Sequence, residues 1–246
     1  MDSNRDSARA AAGAAQLCNM FPEMIEHVVK MAACAEDVFS EYEQELLSNA
    51  FKRTVDPLRV SWRVLWHEEK KQEAGANERL RVLAREEKNK VEQQLLNTAH
   101  SAIKCAQKLK RMQHNNESPR FAVVLDKMIG DFSRYLVDVY MHYPAPDIQH
   151  LKKELIEQAD LAYKSALACS EANDDGNSAV FLGICLNYSL FQFEVLGKPR
   201  SACLLARNAL DAFQRNDVGR IKQLPEQTAI VQKLRDNVVR WTSIRS

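Results

Sequence analysis

A chain of 246 residues with a formal net charge of +1 is long enough to bury a substantial core and too evenly charged for a dedicated nucleic-acid binder. Its 46% hydrophobic and 27% charged residues are those of an ordinary globular protein, and no run of about 18 apolar residues is present to cross a membrane. The start, MDSNRDSARAAAGAA, lacks the apolar segment of a signal peptide, and six scattered cysteines without a CxxC pair fit neither a zinc site nor a disulfide framework. A reducing, cytoplasmic setting with access to the nucleus is expected.

Seven glycines and seven prolines leave long uninterrupted stretches whose apolar residues recur at spacings of three and four. The expected fold class is therefore all-α, a single domain over 1–246 with about nine antiparallel helices and no sheet. Two short helices are expected near 6–18 and 23–36, then a long one from about Glu41 to Gln72. Gly75 is a stop signal and Asn77 an N-cap for a second long helix reaching Met112. After the loop HNNESPR, Pro119 opens a helix through Phe121 to about Met141, which the prolines of HYPAPD end. Asp147 is an expected cap for the helix reaching Cys169. Three more follow the EANDDGNS loop, near 178–196, 199–215 and 225–243, with Gly197 ending the first.

Four stretches place polar groups inside apolar helical stripes. LLSNAFKRTVDPLRVSWR sets Lys52, Arg59 and Arg63 among Phe51, Leu58 and Trp62. Lys52 and Arg59 stand about two turns apart on one face, with Arg63 a turn further on. Half-buried cations need an anion, from the protein or from a ligand. In DKMIGDFSRYL, Arg134 and Tyr135 are adjacent, with Asp131 a turn before and Lys127 a turn before that. FLGICLNYSLFQFEVL aligns Asn187, Leu190 and Glu194, and IVQKLRDNVVRWTS aligns Ile230, Lys233, Asn237 and Trp241. Taken singly, each has a plainer reading: a solvated basic face, a packing asparagine or simple core.

Taken together and in order, these stretches resemble the 14-3-3 family of phosphopeptide-binding proteins over essentially the whole chain. The resemblance implies a phosphoserine/phosphothreonine-binding adaptor rather than an enzyme, without cofactor or metal. By motif position, Lys52, Arg59, Arg134 and Tyr135 would hold the phosphate. Asn187 and Asn237 would hold the peptide backbone. Leu186, Leu190, Glu194, Ile230, Lys233, Trp241 and Lys127 would line an amphipathic groove or its rim, with Leu190, Ile230 and Trp241 touching peptide and Leu234 less so. The groove would be built from about 41–72, 119–141, 178–196 and 225–243. Asp131 and Glu194 would keep the clustered cations tolerable in the free protein.

Phosphorylated client proteins are the implied partners, with no nucleic acid and no membrane insertion. A homodimer is expected through N-terminal helices within about 1–72, with Glu23 and Lys90 in contact and a heterodimer as the alternative. Three departures from the family pattern stand out. Lys233 and Asn49 replace apolar residues and would favour acidic or polar side chains after the phosphoresidue. Pro57 lies between Lys52 and Arg59, where a bend would loosen the clamp. No acidic tail of the kind the resemblance implies is expected after Trp241-Thr242-Ser243. The alternative function is a phosphate-independent helical scaffold for unmodified peptides.

Overall fold

Helix signals along the chain become nine α-helices in a computed structural model that describes residues 3–75, 77–112, 118–143, 145–173, 178–216 and 225–243, with no strand among them. They are α1 (Ser3–Leu17), α2 (Phe21–Ala33), α3 (Glu41–Gly75), α4 (Glu78–Met112), α5 (Pro119–Tyr140), α6 (Pro146–Asn173), α7 (Ala179–Glu194), α8 (Pro199–Asn216) and α9 (Pro225–Ser243). The central parts of the HNNESPR and EANDDGNS loops, Asp174 and Asp175 among them, lie outside the described residues.

Local chemistry explains most boundaries. Ser40 and Glu43 form a capping box at the start of α3: the Glu43 N–H donates to Ser40 Oγ at 3.4 Å, and the Ser40 N–H donates back to Glu43 Oε2 at 2.9 Å. Asn77 Oδ1 accepts from the Leu80 N–H at 3.2 Å, capping α4. Ser178 caps α7 through a 3.1 Å bond from the Phe181 N–H. Gly197, at φ 61°, takes the left-handed turn that ends this segment and lets the Lys198 N–H return to the Gln192 carbonyl. Asp147 is not the cap of α6. The helix begins one residue earlier at Pro146, whose fixed φ suits a first position, and the Gln149 N–H already bonds the Ala145 carbonyl at 3.1 Å.

The chain divides into two compact units that share α5: Met1–Glu117 with Tyr135–Pro144, and Ser118–Arg134 with Ala145–Ser246. In the first, α3 and α4 form an antiparallel hairpin. Lys88 pairs with Glu69 near its tip at 2.7 Å, and Trp62 Nε1 donates to the buried Glu92 further along at 2.7 Å. Leu46, Leu47, Ala50 and Phe51 of α3 are fully buried, as are Met24, Val28 and Met31 of α2 and Ala99, Ala102 and Ala106 of α4. Arg5 of α1 donates to both carboxylate oxygens of the buried Glu43, at 2.9 and 2.8 Å, tying α1 to the capping box.

The second unit packs Phe181, Leu182, Cys185 and Leu186 of α7 against Ala202, Ala206 and Phe213 of α8 and Val231, Leu234 and Trp241 of α9. A smaller cluster stacks Tyr163 of α6 on Tyr188 of α7, with centroids 5.3 Å apart. All six cysteines are free thiols, and burial pushes Cys105 up to about 11 and Cys185 up to about 12.

Pro57 lies inside α3, which remains helical on both sides of it. Proline removes the N–H that would bond the Arg53 carbonyl. One turn earlier the Thr54 hydroxyl bonds the Ala50 carbonyl at 2.8 Å.

Candidate functional site

The candidate residues fall into two sets, one in each unit. The first is built where α3 meets the last turns of α5. Here the Arg59 guanidinium carbon sits 3.7 Å from the centroid of the Tyr135 ring, a cation–π stack on a mostly buried aromatic. Arg59 also reaches Asp138 Oδ2 at 3.5 Å, and Arg63 reaches the same oxygen at 3.4 Å. One carboxylate therefore spans two guanidiniums, and both contacts are at the long end of hydrogen-bond range. Lys52 is exposed on α3 and makes no ion pair among the described residues.

Asp138 is the residue that sequence reasoning missed. The signal existed: it follows Tyr135 by three positions, the helical spacing that places both on one face. Arg63 shares Arg59's counter-ion, so the two act as a pair on one anion.

The second set centres on Asp131 of α5, 6% exposed. It accepts from Lys127 Nζ at 2.5 Å, from the Tyr163 hydroxyl at 2.7 Å and from Asn187 Nδ2 at 2.8 Å. Burial alone would raise this carboxyl, but the charges of Lys127 and Arg134 and the hydrogen bonds from Lys127 and Tyr163 outweigh it and hold it below the usual carboxylate range. Asp131 thus stays ionised among cations, and it fixes the Asn187 amide with the nitrogen inward, leaving Oδ1 as the acceptor. Arg134, 4% exposed, lies within the field of the same carboxylate.

Two glycines make room for this arrangement. A Cβ on Gly130 would come within 2.8 Å of the Tyr163 ring, and one on Gly183 within 3.3 Å of Lys127 Cε. Small residues at these points let Tyr163 lie on the α5 backbone and Lys127 pass over α7.

Along α7 and α9 the expected residues divide by depth. Leu190, Asn187, Ile230 and Asn237 are half-buried and Lys233 is exposed. Leu186 is 8% exposed and Leu234 fully buried. Trp241 does not match the expectation that it touches a peptide. It is 2% exposed, its ring stacked on Phe193 with centroids 4.8 Å apart, so it backs the wall from the core. Glu194 also differs. Its partner is Arg240, at 4.0 Å, rather than the phosphate-site cations. Asn49 is occupied as well, its amide donating to Gln16 at 3.4 Å and Glu45 at 3.3 Å, a link between α1 and α3. Glu23 and Lys90 are both exposed, and Lys90 pairs with Glu87 at 2.7 Å.

Among the described residues no helix is long and apolar enough to cross a membrane. The family model described as 14-3-3 protein matches residues 11–242. The checkpoint signal transducer rad25 of Schizosaccharomyces pombe is 32% identical over 245 residues, covering 99% of this chain and 87% of its own. The 14-3-3-like protein A of Glycine max is 32% identical over 244 residues, covering 98% and 91%. The 14-3-3 protein zeta of Xenopus laevis is 33% identical over 228 residues, covering 90% and 89%.

Proposed function

This chain belongs to the 14-3-3 family, and from that premise we propose that it reads phosphoserine or phosphothreonine in client proteins and regulates them by binding. Lys52, Arg59, Arg134 and Tyr135 bind the phosphate. Guanidiniums hold phosphate oxygens bidentately, Lys52 adds a point charge, and the tyrosine hydroxyl a neutral donor. Asn187 and Asn237 hold the peptide main chain, which makes binding tolerant of most side chains. Leu190 and Ile230 supply apolar contact.

The observation that carries this reading is the preorganisation of cations around two carboxylates. Asp138 and Asp131 hold Arg59, Arg63 and Lys127 in place before any ligand arrives. Asp138's long contacts leave Arg59 able to exchange a carboxylate for a dianionic phosphate. No reaction is required of this arrangement; binding and release are sufficient for an adaptor.

We further propose a homodimer through the N-terminal helices, with Glu23 and Lys90 contributing a charge pair across it. Two sites on one client would then bind with the gain that effective concentration gives. Sedimentation of a Lys90→Glu variant tests this, with a shift towards monomer expected.

Charge reversal tests the phosphate assignment. Arg59→Glu and Arg134→Glu should each abolish most phosphopeptide binding while circular dichroism shows unchanged helicity. Binding retained by both variants would return the reading to a phosphate-independent helical scaffold.

A further inference from the structure

The surface of α9 carries a second cationic feature that the phosphate site does not use. Lys233, Asn237 and Arg240 are spaced by four and three, so at about 100° per residue they share an arc of about 60°. The core-facing Val231, Leu234 and Trp241 occupy the adjoining arc, which leaves the Lys233–Asn237–Arg240 stripe on the open side of the helix. Lys233 is exposed and makes no ion pair among the described residues. Arg240, whose side chain is 56% exposed, reaches Asn237 Oδ1 at 3.5 Å and Glu194 at 4.0 Å. Both contacts lie at the limit of their kind, so an incoming anion meets little competition.

We infer that Lys233 and Arg240, bracketing Asn237 on α9, select peptides carrying an anionic side chain close to the residue whose backbone Asn237 holds. The inference rests on the proposed role of Asn237 as a backbone ligand. Its reach follows from geometry. Along the helix axis Lys233 lies about 6 Å from Asn237 and Arg240 about 4.5 Å on the other side. An extended peptide advances about 3.3 Å per residue, so the selected side chain falls within about two positions of the gripped residue. A carboxylate or a second phosphate would satisfy the same pair, and Arg240 would trade Glu194 for either.

The selection is electrostatic and partly exposed, so it should be modest and salt-sensitive. An apolar side chain at those positions would gain nothing from Lys233, and a lysine would be repelled.

The test is fluorescence anisotropy with one phosphoserine peptide carrying Ala, Leu, Glu or a second phosphoserine at each flanking position in turn. Unphosphorylated copies of every peptide are included, and wild type is compared with Lys233→Leu, Arg240→Leu and the double variant. At one flanking position the wild type should prefer Glu to Ala by about two- to fivefold, with the margin shrinking at high salt, and a second phosphoserine by more. The double variant should lose that preference, so that its affinities for the Glu-flanked and Ala-flanked phosphopeptides converge. Equal binding of Glu, Ala and Leu peptides by the wild type would overturn the inference and leave the phosphate reading standing. A Glu preference that survives in the double variant would overturn it equally. A Glu preference that is lost in the double variant but independent of the central phosphate would support the cation pair and contradict the phosphate reading. Binding to none of the peptides would contradict both.

Discussion

Arg59 lies over the face of Tyr135, its guanidinium carbon 3.7 Å from the ring centroid. The stack holds a cation at a set depth while leaving its N–H edges free to reach an anion. It also separates two roles of the tyrosine. Tyr135→Phe keeps the ring and loses only the hydroxyl, so phosphopeptide affinity should fall by about 0.5–1.5 kcal/mol. Tyr135→Ala removes the platform as well, and the loss should be clearly larger. Calorimetric titration of both variants with one phosphopeptide checks the order.

Asp131 should be costly to alter. Asp131→Asn leaves Lys127 without its 2.5 Å partner and disturbs the anchors of Tyr163 and Asn187. Breaking a buried ion pair from one side costs about 3–5 kcal/mol. Lys127 is part exposed, so a loss near the lower end is expected in urea unfolding. Phosphopeptide binding should weaken too, since Asn187 loses its fixed orientation.

Gly130→Ala sets two effects against each other. Alanine gains about 1 kcal/mol of helix propensity over glycine. Its Cβ would, however, lie 2.8–3.0 Å from three carbons of the Tyr163 ring, part of a packed aromatic cluster. Overpacking of this kind costs about 1–3 kcal/mol, so net destabilisation is expected. Thermal unfolding decides the sign.

The junction of α1 and α3 should confer acid sensitivity. Burial would raise the Glu43 carboxyl, but Arg5 and the Ser40 backbone and hydroxyl donors hold it below its ordinary value. A depressed carboxyl contributes stability above its unfolded pKa, about 4.3, and loses it as pH falls through the folded value. Glu43→Gln should therefore be less stable than wild type at neutral pH and show a weaker acid dependence below about pH 4. Unfolding curves from neutral to acidic pH measure both.

Pro57 offers a stabilising substitution. A mid-helix proline costs roughly 3 kcal/mol, and α3 is helical on either side of it. Pro57→Ala restores a backbone donor towards Arg53 and should raise stability by about 1–3 kcal/mol. A lower melting temperature would show that the proline suits a backbone geometry that alanine does not.

The helices were legible because their signals are local. Apolar spacing, the proline and glycine positions and the cap at Asn77 are all short-range. The capping box of Ser40 and Glu43 is local as well, whereas Arg5, which completes it, is 38 residues away from Glu43. Sequence showed polar groups on shared faces without showing depth. Leu190 on α7 and Trp241 on α9 each belong to a stripe of this kind, yet Trp241 is core and Leu190 half-buried, a distinction set by how α7, α8 and α9 pack. Counter-ions were harder still. Asp131 was legible from its helical spacing to Lys127, whereas Asp138's partners come from α3, far away in the chain.

The central claim is that a phosphate is what this protein reads. The most direct measurement is the affinity of one client-derived peptide in phosphoserine and unmodified forms, by fluorescence anisotropy under identical salt. Two or more charge-assisted contacts, each about 1.5–3 kcal/mol, predict about a hundredfold or greater preference for the phosphorylated form. Equal affinities for the two forms would contradict the account.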